Sequence, residues 1–112
     1  MLVEVFPDPT DVPDQQGEFV EIRLDSSVEA DTLFVQLDGK PPLKIPYPDG
    51  ERLLLSHGKI LCPEVRGLAC GDLEKMSLPN SRESGWIIRA GVCVDSVVLD
   101  KPKSGKSFQR IA

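Results

Sequence analysis

Three cysteines (Cys62, Cys70 and Cys93), a single histidine (His57) and four carboxylates close together in sequence (Asp8, Asp11, Asp14 and Glu18) are the residues of this 112-residue chain best suited to chemistry. A thiol beside an imidazole is a nucleophile, because the base takes the proton that the thiolate sheds, and such partners meet in space rather than in sequence. His57 with Cys93 or Cys62 is therefore the pair to test. No local nucleophile signature surrounds either cysteine, and a lone histidine in a turn such as "LSHGK" is ordinarily solvated, so catalysis is not expected. Structural zinc needs ligands in closely spaced pairs, which three cysteines and one histidine here do not supply. The four carboxylates depart from the Asp-x-Asp-x-Asp-Gly calcium loop, and aspartate next to proline is ordinary turn chemistry. No metal or cofactor is expected.

Gly105, Lys106 and Ser107 resemble the end of a phosphate-binding loop, which requires a first glycine five residues before the second and a helix after it. That first position is Asp100, whose charge repels phosphate, and only five residues follow Ser107. The stretch reads instead as a turn into a last edge strand. Cys62 and Cys70 enclose seven residues, "PEVRGLA", that Pro63 and Gly67 can bend. Such a pair closes a disulfide when its Cα atoms come within about 7 Å. In an oxidising compartment a bridge across this loop is the expectation, with three reduced cysteines as the alternative. Cys93 falls in an apolar pattern that suits a buried thiol.

The elements that must position these residues are strands. Ten prolines and nine glycines leave no stretch with helical spacing for three turns. Residues 2 to 6 form a strand ended by Pro7. Residues 18 to 24, "EFVEIRL", alternate, with Phe19, Glu21 and Arg23 on one face and Val20, Ile22 and Leu24 on the other, the pattern of a half-buried strand. "TLFVQLD" predicts another, turning at "DGK" into "PPLKIPY", whose prolines lack the donor that a central strand needs and so belong at a sheet edge. "PDGERLLL" and "HGKILC" predict short strands, and "GDLEKM" a single helical turn capped by Asp72. "GWIIR" and "VCVDSVVL" predict a hairpin through Ala90 and Gly91, with Trp86 in the core. Asp95 either faces solvent or caps a neighbouring loop. Seven to nine short strands at this spacing predict an all-β, Greek-key sandwich.

One domain of this length buries a single core. Apolar residues at 40% and charged residues at 28% exclude a disordered or fibrous chain. No apolar run is long enough to span a membrane. Residues 1 to 31 hold nine acids against Arg23, whereas the last twelve hold Lys101, Lys103, Lys106 and Arg110 and no acid. The net charge of −5 argues against nonspecific nucleic-acid binding, which depends on neutralising many phosphates. The basic tail is expected to solvate an edge or to meet an acidic patch.

Five stretches, "VEVFPDPTD", "GEFVEI", "MSLPNSRESGWII", "AGVCVDSVVLD" and "GKSFQR", together resemble the lamin-tail domain in order and over nearly the whole chain. The third strand, "TLFVQL", lacks the Ser-Gly-Trp opening usual there, and Trp86 stands in a later strand. The resemblance implies an immunoglobulin-like sandwich and a divergent bacterial member. It also implies a non-catalytic binding or structural module of a larger exported or surface protein, docking a neighbouring domain, a protein or a polysaccharide. Both termini lie close against predicted strands, so a domain excised from a longer chain is expected. The proline segment 41 to 48, the loop 62 to 72 and the patch Lys101, Lys103, Lys106 and Arg110 are the candidate surfaces. A small Cys/His or metal-assisted hydrolase and weak nucleic-acid binding through the basic tail are the alternatives.

Overall fold

A computed structural model of the chain describes residues 2–6, 18–25, 27–57, 64–74, 76, 78–79, 81–103 and 105–109. Among the described residues nine strands form: β1 (Leu2–Phe6), β2 (Phe19–Arg23), β3 (Thr32–Leu37), β4 (Leu43–Pro46), β5 (Arg52–Ser56), β6 (Leu68–Asp72), β7 (Ser84–Ala90), β8 (Cys93–Leu99) and β9 (Phe108–Gln109). They form a five-stranded sheet ordered β6-β5-β2-β1-β9 and a four-stranded sheet ordered β4-β3-β7-β8. The chain changes sheet between β2 and β3, β4 and β5, β6 and β7, and β8 and β9. The inward faces of the two sheets thus pack against each other, as the all-β sandwich reading requires.

Alternation in the sequence becomes alternation in burial. Val20 and Ile22 of β2 are fully buried, as are Val35 and Leu37 of β3, and their odd-numbered or even-numbered neighbours stay half-exposed. Trp86 is buried at the middle of the core, where its indole N–H donates to Ser84 Oγ at 2.9 Å. Tryptophan tolerates such burial only when its one polar atom is satisfied. No buried side-chain nitrogen or oxygen among the described residues lacks a partner.

The proline-bearing β4 lies at the edge of its sheet and β9 at the edge of the other, both as the sequence predicts. The segment around "GDLEKM" differs. Gly71 and Asp72 belong to strand β6, parallel to β5 with Leu54 beside Cys70, and Asp72 caps the turn that follows, in which Met76 N–H donates to Leu73 C=O at 3.0 Å. The pattern of β6 is weak because Gly71 interrupts it; a Cβ there would stand 2.7 Å from Leu55 Cδ2, so a larger residue would make the Leu55 side chain shift. Beyond β6, Leu73 turns inward and is fully buried, its amide donating to Ser56 C=O at 2.9 Å. Apart from His57, the "HGKILC" strand lies outside the described residues.

Candidate functional site

His57 follows β5 directly, and its ring is held on both sides. Nε2 stands 2.7 Å from Glu18 Oε1 and Nδ1 3.2 Å from the Glu74 carbonyl. A carbonyl only accepts, so Nδ1 is the donor in its contact, and Nε2 faces the Glu18 carboxyl. Neither nitrogen remains for a substrate or a metal. Glu18 is 4% exposed, which makes the contact a substitute for the water that its carboxyl has lost. Glu74 presents its carbonyl from a left-handed backbone, φ 56°, steadied by its amide donating to Asp72 Oδ1 at 2.7 Å. A non-glycine residue in that region is uncommon and needs such support.

Cys93 is an exposed free thiol at the start of β8, not the buried one that its apolar neighbours suggest. It sits opposite Ala90 and beside the β2 end at Arg23 and Asp25. His57 lies past the other end of β2, where Ser56 pairs with Phe19. The length of a strand therefore separates thiol and imidazole, and the Cys93–His57 pair is not assembled. Of the Cys62–Cys70 bridge expected from the sequence, only Cys70 lies among the described residues, and it is disulfide-bonded rather than free. Among the described residues no Sγ–Sγ pair stands at bonding or near-bonding distance. Cys62 lies outside them, Cys70 is half-buried in β6, and the free Cys93 belongs to the other sheet.

Of the four clustered carboxylates, Asp8, Asp11 and Asp14 fall outside the described residues, and Glu18 is committed to His57. Among the described residues no group of three or more histidines, cysteines and carboxylates converges on one point, and no helix is long and apolar enough to cross a membrane. Lys101, Lys103 and Lys106 are exposed along the connection from β8 to β9, where Lys106 N donates to Lys103 C=O at 3.0 Å in the expected turn. Arg110 lies outside the described residues.

Two features escaped sequence reasoning. One is a cavity of about 460 Å³ opening between the sheets at the Cys93 end, floored by Ile22, Leu33 and Ile88 and rimmed by Asp25, Tyr47 and Asp95. Its rim is tied together at the surface. Tyr47 Oη donates to Asp25 C=O at 3.0 Å and accepts from Asp25 N–H at 3.3 Å. Ser27 N–H and Oγ–H both donate to Asp25 Oδ1, at 2.9 and 2.7 Å, and these bonds hold the Asp25 carboxyl below its ordinary value. The second feature is the outer face of the four-stranded sheet. Phe34 lies there between Arg89, 4.5 Å from the ring centroid, and Lys44 at 5.9 Å. Next to them Ile87 is 43%, Val94 62% and Val98 71% exposed. The even spacing of Val94 and Val98 with respect to Ser96 was legible, but which side of β8 met the core was not.

The proline segment meets the turn after β6 in a shallower cavity of about 220 Å³ between Pro41, Pro42, Leu73 and Met76. Leu43 is buried there, whereas Pro41, Pro42 and Pro46 stay exposed. The architecture defines the class of protein, a compact two-sheet, all-β sandwich. Comparison of the chain with protein-family models, with curated proteins and with solved structures finds no match in any of the three.

Proposed function

We propose that the chain is a non-catalytic binding module, similar to the lamin-tail domain, of a larger exported or surface-attached bacterial protein. The observation that carries the binding role is where the exposed apolar side chains gather. Of the five large hydrophobic residues that stand exposed among the described residues, four (Ile87, Val92, Val94 and Val98) lie on β7, β8 and the turn between them. Scattered exposed apolar residues are normal, but a cluster beside Phe34, Arg89 and Lys44 is the composition of an interaction surface. The exported, bacterial and lamin-tail parts rest on the five sequence stretches that carry the resemblance.

The hydrolase alternative draws no support from the side chains, since His57 has both nitrogens engaged and Cys93 is remote from it. Amide chemical-shift mapping of the isotope-labelled chain, titrated with soluble polysaccharides and extended peptides, tests the reading. Shifts concentrated at residues 34, 87, 89, 94 and 98 support it. Turnover of an activated ester that disappears in C93A or H57A would replace it with the hydrolase.

A further inference from the structure

The four-stranded sheet has two edges, and only one is defended. At β4, Pro46 ends the strand, Pro41 and Pro42 precede it, and Lys44 projects outward, all devices that keep another strand away. β8 has seven residues, no proline and no lysine, and β7 alone as its neighbour. A long, regular edge rich in valine is a template for strand addition. Its own sequence supplies the fitting strand.

We propose that β8 pairs antiparallel with β8 of a second copy of this chain, centred on Ser96, joining two four-stranded sheets into one of eight. This rests on the reading of the β7–β8 face as an interaction surface. In that register Val94 stands opposite the partner's Val98 and Ser96 opposite the partner's Ser96, so the outer face carries a valine, serine, valine ladder. On the other face Asp95 stands opposite the partner's Val97, and the single charge of the strand never meets its own copy. Such directly opposed pairs are the stabilising unit of a sheet, and like charges would be its penalty.

Charge complementarity continues past the strand. Carried two residues beyond Leu99, the register sets exposed Lys101 opposite the partner's Gly91. In each copy Gly91, φ 58°, packs against the backbone of Glu29, where an added Cβ would lie 3.0 Å from the Glu29 carbonyl oxygen. Glu29 and Asp31 are both exposed there. The two-fold axis produces this meeting of lysine and acids twice. Because β4 is blocked by its prolines, a β8-to-β4 contact cannot propagate, and the assembly closes as a dimer rather than a filament.

Sedimentation equilibrium of the 112-residue chain from micromolar to millimolar concentration reads the association directly. The chain is expected to form a dimer, and V94K/V98K, which places lysine opposite lysine at exposed positions, to weaken it about tenfold or more while far-UV circular dichroism is unchanged. In a C93S background, mild oxidation should cross-link S96C into a covalent dimer and leave Q36C, on the same face but away from the axis, monomeric. A chain monomeric at millimolar concentration, a dimer indifferent to V94K/V98K, or equal cross-linking of S96C and Q36C each overturns the proposal. Ligand shifts on the β7–β8 face of a strictly monomeric chain would end the dimer and keep the binding-module reading. A dimer with no ligand shifts would keep the pairing and confine the interaction to self-association.

Discussion

At one end of the sandwich Glu18, His57 and the Glu74 carbonyl close on one another over fully buried Leu73. At the other, Tyr47, Asp25 and Ser27 satisfy each other at the surface and leave a cavity of about 460 Å³ between the sheets. Each end is rich in polar groups, but their placement differs. Buried polar atoms must find partners within the protein, which fills the closed end and fixes every donor. Solvated ones can bond across the rim and leave the interior unfilled. The residue with the most evident chemical potential, His57, therefore has both ring nitrogens engaged within the protein. The accessible space and the exposed apolar face lie towards the other end and on the outer surface.

The contrast can be broken from the closed end first. Leu73→Ala removes a fully buried side chain and is expected to cost about 2–5 kcal/mol in urea denaturation. A loss below about 1 kcal/mol would show that this end is no better packed than the open one. Next comes His57→Ala, which strips the 2.7 Å partner from a nearly buried carboxyl. Its expected cost is about 1–3 kcal/mol by the same measurement.

At the open end the effects shrink. Tyr47→Phe deletes two hydrogen bonds at a wet rim and should cost only about 0.5–1.5 kcal/mol, because water takes the place of the lost hydroxyl. A cost equal to that of His57→Ala would remove the distinction between the ends. The smallest effect concerns acid. Asp25 is held below its ordinary 3.8 in the folded chain, so its contribution is present above 3.8 and is lost as pH falls through the lower folded value. Asp25→Asn should lower stability slightly at neutral pH, where that contribution is present, and flatten the fall in stability below 3.8. A profile identical to that of the parent chain would show that the Ser27 bonds stabilise nothing.

Much of the framework was legible because strands write their burial into alternate residues. "EFVEIRL" and "TLFVQL" announced both their existence and their inward faces, and the prolines of 41 to 48 announced an edge. β6 was hidden: "LACGD" has neither alternation nor strong strand formers, and it becomes a strand because β5 offers a parallel edge and Gly71 admits Leu55. The exposure of Cys93 was hidden for a related reason. "VCVDSVVL" is apolar on both faces, a pattern that suits a central strand, whereas Cys93 opens an edge strand and stays exposed although it shares the core-side parity of Asp95 and Val97.

The candidate site was less legible than the fold. The phosphate loop could be excluded from Asp100 alone, and the pairing of His57 with Cys93 only from the opposite ends that they occupy. Glu18 drew attention as a possible metal ligand among neighbouring aspartates, but its partner lies 39 residues away, a separation that no local pattern reports.

Residue order alone determined that the chain is all-β, where most strands begin and end, which faces of β2 and β3 are buried and which strand the prolines bar from a sheet interior. These are local consequences of side-chain period and backbone restriction. Tertiary structure decided which strand ends meet, and so locked His57, opened the cavity and left β8 undefended, because each depends on the sheet order and on contacts between residues far apart in the chain.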